Sequence, residues 1–243
     1  MGSGEVLVNL LITGSTGIAA STAEIARQRG DRVFTIGLDE SADHRTDLRD
    51  EVKVEASLAA ACEAMGRVDA LFHVAGVSGR RYGDAPLHEC TLDGFEATIK
   101  ANSVTAFLMN RAVVRYWLVN TLAGSVVNMG SVLADSPEPR FFATYAYAAS
   151  KGAITAMTRA SAAFYAPQGI RFNVIAPGLV RTAMSERAQT NTEIMDFVEK
   201  KQPLTKGILE PADVARAALF LLGEESRPIT GQVLTVDAGW SLS

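Results

Sequence analysis

Short apolar runs rich in branched residues alternate along this chain with longer stretches that are Ala-rich or amphipathic. Val6 to Thr13, Val33 to Leu38, Asp69 to Val74, Ser125 to Met129, Arg171 to Ala176 and Gln232 to Val236 have the length and composition of buried parallel strands. Between them lie predicted helices. One opens at Gly14–Ser21 and stops at Gly30, a second covers Leu58 to Met65 with Gly66 as its stop, and a third runs from Leu92 to Val119. Two more cover Tyr147 to Tyr165 and Pro211 to Leu222, the latter with proline in its first turn. A short extended piece precedes Asp47. Strand and helix alternate without linker or repeat, which predicts one α/β domain over residues 1–243, a doubly wound parallel sheet with helices on both faces. Residues 184–201 mix Ile194, Met195, Phe197 and Val198 with charge, as an amphipathic substrate flap would.

Composition narrows the function classes. Of the 243 residues 48% are hydrophobic and 21% charged, ordinary for a globular protein with a sizeable core. A net charge of −4 argues against a nucleic-acid-binding face. No run reaches the roughly 18 apolar residues of a membrane span. Met-Gly-Ser-Gly-Glu lacks the basic start of a signal peptide. Cys62 and Cys90 show neither metal-ligand spacing nor a disulfide framework, so reduced thiols in a cytoplasmic protein are expected.

Chemistry-bearing residues fall at the strand ends. Gly14, Ser15, Thr16, Gly17 and Ile18 form a strand–turn–helix junction, the context in which backbone amides approach a pyrophosphate. Asp39 ends the next strand, where a ribose 2′-hydroxyl would be gripped. Asp47-Leu48 would meet an adenine edge or cap the following helix. His73 reads as a satisfied core histidine at the entry to Ala75-Gly76. The loop from Val77 to Leu87 carries Arg80, Arg81 and Tyr82, with solvated charge the default and anion contact the minor reading. Asn102 sits inside a predicted helix, where asparagine is unfavourable, so it either has a polar partner or faces solvent. Tyr147 and Lys151 are four residues apart and share a helix face, while Ser131 ends the preceding strand. A phenol beside an ammonium is a proton donor whose ionised form is favoured. Such a trio serves carbonyl/alcohol chemistry, although one Tyr-x-x-x-Lys pair arises easily by chance and the rest of the chain must decide.

Taken together, these residues resemble the short-chain dehydrogenase/reductase family in its compact single-domain branch, from about Val8 to Gly239. The family's nucleotide loop is matched by Thr13-Gly14-Ser15-Thr16-Gly17-Ile18-Ala19. Its Asn-Asn-Ala-Gly motif is matched by His73-Val74-Ala75-Gly76, its helix asparagine by Asn102, its serine by Ser131 and its Tyr-x-x-x-Lys pair by Tyr147 and Lys151. Pro177-Gly178-Leu179-Val180-Arg181-Thr182 and Thr230-Gly231-Gln232-Val233 complete the series. Two departures stand out: the nucleotide loop is one residue short with Ala19 in place of the last glycine, and His73-Val74 replaces two asparagines.

The resemblance implies a Rossmann-type fold and an oxidoreductase that interconverts a secondary alcohol and a ketone with NAD(H) or NADP(H). Tyr147 would be general acid and base, with its pKa lowered by Lys151 and by the cofactor's positive ring. Lys151 would also hold the nicotinamide ribose, Ser131 would orient the substrate oxygen, and Asn102 would hold a relay water. Ala75, Gly76, Pro177, Gly178, Val180 and Thr182 would line the dinucleotide. Gly37-Leu38-Asp39 lacks an arginine for a 2′-phosphate, so NAD(H) is expected over NADP(H). A 3-oxoacyl-thioester reductase and a non-catalytic cofactor-sensing protein are the alternatives. A serine hydrolase is disfavoured because Ser131 lies outside a Gly-x-Ser-x-Gly turn, and no ligand cluster suggests a metal. The substrate, a small alcohol or ketone, would meet the loop from Ala134 to Phe142, Arg80 to Tyr82, and the flap. A homo-oligomer, tetramer or dimer, is implied through the Asn102 and Tyr147 helices and the C-terminal segment.

Overall fold

The computed structural model describes residues 7–243, so Val6, the expected start of the first strand, lies outside them. In chain order the elements are β1 (Asn9–Thr13), α1 (Gly17–Gln28), β2 (Arg32–Gly37), β3 (His44–Arg45), α2 (Glu51–Met65), β4 (Ala70–His73), α3 (Leu92–Ile99) and α4 (Thr105–Val119). There follow β5 (Gly124–Met129), α5 (Pro139–Phe142), α6 (Tyr145–Tyr165), β6 (Ile170–Pro177), α7 (Glu186–Gln189), α8 (Thr192–Lys201), α9 (Pro211–Leu222) and β7 (Val233–Val236). The strands form one parallel sheet in the order β3-β2-β1-β4-β5-β6-β7. The chain begins at the centre, winds to one edge, and returns to wind to the other. This Rossmann-type order opens a crevice at the carboxyl ends of β1 and β4, where the winding reverses.

Successive strand residues point to opposite faces, and each face has its own core. On one face Leu10, Ile12, Phe72, Val127 and Ile175 pack against Ala19, Ala23 and Ala26 of α1 and Val214 and Leu222 of α9. On the other, Leu11, Leu71, Val126 and Phe172 meet Leu58 and Ala61 of α2 and Met109, Val113 and Trp117 of α4. The buried Trp117 indole donates to the Val68 carbonyl (2.7 Å), which offsets the cost of removing its N–H from water. A third cluster, Val132, Ala188, Ile194, Val198 and Trp240, sits above the carboxyl edge. The segment expected as a flap supplies three of these residues, which anchor it.

Two boundaries differ from the sequence reading. Helix α2 begins at Glu51 rather than Leu58, because Asp50 caps it by accepting from the Val52 and Lys53 N–H groups. The stretch from Leu92 to Val119 is helical throughout but widens into a π turn over Lys100–Val104. Such turns insert one extra residue per turn and re-aim side chains. Here the residue inside the turn is Asn102.

Candidate active site

The nucleotide end of the crevice is built by the turn between β1 and α1. Thr16 is extended, its side chain caps nothing, and no acid occupies the first turn of α1. The helix therefore presents its first N–H groups without a built-in acceptor, the arrangement that receives an anion. Gly17 has φ +53°, and a Cβ there would stand 2.9 Å from Thr182 Cγ2. Only glycine lets the loop after β6 close on this turn. Ser15 is buried, and Ser41 Oγ donates to its hydroxyl (3.0 Å). Ile18 belongs to the first core. The shortened loop brings the Ala19 methyl to within 3.3 Å of where a Gly14 Cβ would be, so the alanine is accommodated by the glycine before it. These features fit a pyrophosphate.

The adenosine side is less simple than the sequence suggested. Asp39 is exposed beyond β2, as expected, but strand pairing puts Arg45 opposite Gly37. Arg45, Lys53, His44, Leu38 and Asp47 line a concavity of about 470 Å³, so basic side chains do reach this region. Both Asp47 oxygens are taken by Arg49 (2.9 and 2.6 Å), whose guanidinium holds the carboxyl down at about 2. Asp47 therefore does not cap α2, contrary to one of its two readings. The Leu48 side chain is buried in the second core.

At the end of β4, Thr13 and His73 brace the chain in place of two asparagines. Thr13 Oγ1 accepts from the Val74 and Ala75 N–H groups (3.0 and 3.1 Å). Its own proton is then directed at His73 Nδ1 (3.1 Å), which leaves Nε2–H for Thr105 Oγ1 (3.5 Å). Burial, aided by the nearby Lys151 charge, lowers the His73 pKa to about 3 and keeps the ring neutral. A Cβ on Gly76 would stand 2.9 Å from Asn102 Oδ1 and 3.6 Å from Lys151 Nζ, so the chain passes close to both.

Ser131, Tyr147 and Lys151 meet at the carboxyl end of β5. Ser131 is buried and begins a short turn, its Oγ accepting from Leu133 N–H (3.2 Å). Lys151 is buried, lies over the Tyr147 ring (Nζ to centroid 5.6 Å) and donates to the Met129 carbonyl (2.8 Å). Burial brings its pKa down to about 8. Tyr147 is partly buried, and the surroundings push its phenol up, while hydrogen bonding with Ser131 opposes the push. The lowering expected from Lys151 is not seen here, because the ammonium faces the ring and a backbone carbonyl. Asn102 is fully buried and its amide is committed. Oδ1 accepts from Val77 N–H (2.7 Å), while Nδ2 donates to the Val77 carbonyl (3.1 Å) and Ser150 Oγ (2.9 Å). Ser150 in turn donates to the Tyr147 carbonyl (2.7 Å). The Asn102 side chain is thus a brace between the Gly76 segment and α6.

Two residues not singled out in the sequence shape this site. Asp84 is buried, and its carboxylate accepts from the Ala146 and Tyr147 N–H groups at 2.8 Å each, capping α6 from a distant loop. Gln202 is fully buried at the end of α8. Its Oε1 accepts from Leu179 N–H (2.5 Å), and its Nε2 donates to the Leu179 (3.2 Å) and Gly207 (2.8 Å) carbonyls. This clamp fixes the Pro177–Thr182 stretch, in which Val180 is buried and Thr182 starts only a short 3-10 turn. Neither residue had a local signal, since both act on backbone far away in sequence. The Arg80–Tyr82 turn divides: Arg80 reaches the Phe141 carbonyl, whereas Arg81 donates to the Tyr82 hydroxyl.

Comparison with known proteins agrees with this geometry. Residues 12–241 match the family model described as Enoyl-(Acyl carrier protein) reductase. Glucose 1-dehydrogenase 2 of Bacillus subtilis is 32% identical, over 92% of this chain and 81% of its own. The 2-(R)-hydroxypropyl-CoM dehydrogenase of Xanthobacter autotrophicus is also 32% identical, over 95% of this chain and 97% of its own. A short-chain type dehydrogenase/reductase from Mycobacterium ulcerans superposes with a TM-score of 0.87 at 24% identity, covering 96% and 89% of the two chains. The ligand-free aldohexose dehydrogenase of Thermoplasma acidophilum gives 0.86 at 24% identity, covering 98% and 95%. A parallel sheet in this order, a matching family model over nearly its whole length and full-length dehydrogenase relatives make this chain a member of the short-chain dehydrogenase/reductase family.

Proposed function

We propose that this protein is an NAD(P)-dependent oxidoreductase that interconverts a secondary alcohol and a ketone, with Tyr147 as the proton-transferring group. The observation that carries this reading is the convergence of Ser131, Tyr147 and Lys151 at the carboxyl edge of the sheet, beside an uncapped helix N-terminus. Two relatives bear dehydrogenase names, which favours alcohol/ketone exchange over the acyl-thioester reductase alternative. Retention of tyrosine and lysine together disfavours a sensor without catalysis.

The α1 turn from Gly14 to Ile18, Ala75-Gly76, and the Pro177, Gly178, Val180 and Thr182 stretch would hold the dinucleotide, with Asp39, Asp47 and Leu48 at its adenosine end. When bound, that group supplies or accepts a hydride. Tyr147 gives its phenolic proton to the substrate oxygen in reduction and takes one in oxidation. Burial favours the neutral phenol, the form ready to donate. Ser131 orients the substrate oxygen by hydrogen bonding. Lys151 remains largely cationic at neutral pH and can donate to ribose hydroxyls. Asn102 holds Tyr147 in place through Ser150. Residues 184–201 act as the substrate flap.

NAD(H) is preferred on the strength of Asp39, since a carboxylate repels a 2′-phosphate. A homo-oligomer acting in the cytoplasm completes the proposal, supported by exposed Phe107 on α4 and Phe164 on α6. The test is Tyr147→Phe. It keeps the fold and dinucleotide binding, while kcat falls by about a hundred- to ten-thousand-fold. Turnover at the wild-type rate would reject the assignment.

A further inference from the structure

We propose that the mouth of the cleft carries an anion subsite formed by Arg80 and Arg187, so that the substrate is an alcohol or ketone bearing a carboxylate, phosphate or sulfonate group. This deepens the oxidoreductase reading and rests on Tyr147 being the reacting group.

The two guanidiniums arrive from separate segments, Arg80 from the turn after β4 and Arg187 from α7. They donate to the same acceptor, the Phe141 carbonyl, at 3.0 and 2.8 Å. A neutral oxygen shared by two cations does not offset their mutual repulsion, which among the described residues only the Asp84 carboxylate opposes from Arg80's side. Arg80 is exposed at its edge, and partial desolvation with the charge of Arg187 holds it below its usual value against the opposing pull of Asp84. Among the described residues neither arginine forms an ion pair, although Arg140 beside them is paired with Glu193. Two neighbouring acids have other partners. Asp84 gives both oxygens to the α6 N–H groups, and Glu138 accepts from Arg140 N–H. Each guanidinium has five N–H donors in a planar fork, of which the shared carbonyl uses one, so both retain donors of the geometry that oxyanions fit.

Location ties the pair to the chemistry. Phe141 lies in the connection from Ser131 to Tyr147. The chain carrying Arg80 runs on to Asp84, whose carboxylate holds the Tyr147 N–H. Arg187 also lies over the Phe142 ring (5.8 Å), and that ring packs edge-on against Trp240 (5.6 Å), which fixes this wall of the cleft. An anion gripped here would leave the other end of a short molecule at the phenol.

The test uses the full-length protein with Tyr147→Phe and saturating NADH, so that binding is read by calorimetry without turnover. The probes are methyl ketones carrying a terminal carboxylate or phosphate at increasing carbon spacings, each compared with its uncharged ester, methyl for the carboxylate and dimethyl for the phosphate. The subsite predicts that at some spacing the acid binds at least about tenfold more tightly than its ester. It further predicts that adding Arg80→Gln or Arg187→Gln collapses that ratio toward one. Equal affinity of acids and esters at every spacing, or a ratio untouched by both arginine variants, would overturn it. Failure of the oxidoreductase reading is seen separately, as turnover that survives Tyr147→Phe.

Discussion

Asp84 accepts from the backbone N–H groups of Tyr147 and Ala146 at 2.8 Å each and so caps the helix that carries the phenol. The local N-cap residue, Thr144, makes no side-chain cap, so the start of α6 depends on this loop carboxylate. Asp84→Asn keeps the shape but turns an NH2 toward one of the two donors. The loss of one hydrogen bond and the clash of donors are expected to cost about 1–3 kcal/mol. The transition temperature should drop by several degrees, while kcat falls more than cofactor affinity because the phenol is displaced. Calorimetry together with kcat and KM checks this; a fall in stability with kcat intact would reduce Asp84 to scaffolding.

Lys151 is brought to about 8 by burial, so its ammonium is present below that pH and lost above it. If it donates to the nicotinamide ribose, NADH binding followed by fluorescence weakens as pH rises through about 8. Lys151→Met binds weakly at every pH and shows no such midpoint. A wild-type profile flat from pH 6.5 to 9.5 would remove Lys151 from the cofactor.

His73 sets an acid limit on stability. Its folded value is about 3, against about 6.5 for an unperturbed imidazole. Above pH 6.5 both states are neutral and the folded form keeps its full stability. Below it only the unfolded chain takes up the proton, so stability falls by up to about 1.4 kcal/mol per pH unit. Urea unfolding at pH 7.5 and 5.0 should therefore show about 2 kcal/mol more loss for the wild type than for His73→Asn. Equal losses would mean that the ring is not held neutral.

The adenosine end gives a prediction about cofactor choice. Asp39 disfavours a 2′-phosphate, whereas Arg45, loosely paired with Glu40 at 4.0 Å, favours one. Comparing kcat/KM for NADH and NADPH should show NADH preferred, with the ratio narrowed a few-fold by Asp39→Ala and widened by Arg45→Gln, as befits exposed charges. A strong NADPH preference in the wild type would show that Arg45, not Asp39, governs this end.

Much of this was legible because strands and glycine turns write themselves locally. The β-strand runs, the Gly14–Gly17 turn and the Tyr147–Lys151 spacing each need only a few neighbouring residues to be recognised. What was hidden depends on residues brought together from far apart. Asn102 looked either partnered or solvated until the π turn aimed it at Val77 and Ser150. Arg45 gave no local signal, and only the pairing of β3 with β2 sets it opposite Gly37. The start of α2 at Glu51 was missed because a charged first turn masks helical periodicity. Ser131 with Tyr147 was readable as chemistry, but the upward push on the phenol is a property of the packed cleft.

Gln202 links two parts of the molecule that have different tasks. It ends α8 and grips both the N–H and the carbonyl of Leu179. An outward swing of α8 must therefore drag the β6 loop along or break those bonds, so this rim moves as one piece. The same amide also holds the Gly207 carbonyl (2.8 Å), at a residue whose φ of +135° no other residue type adopts readily, so the chain leaving α8 is tied to this rim as well. Substrate entry and dinucleotide release would share a single latch.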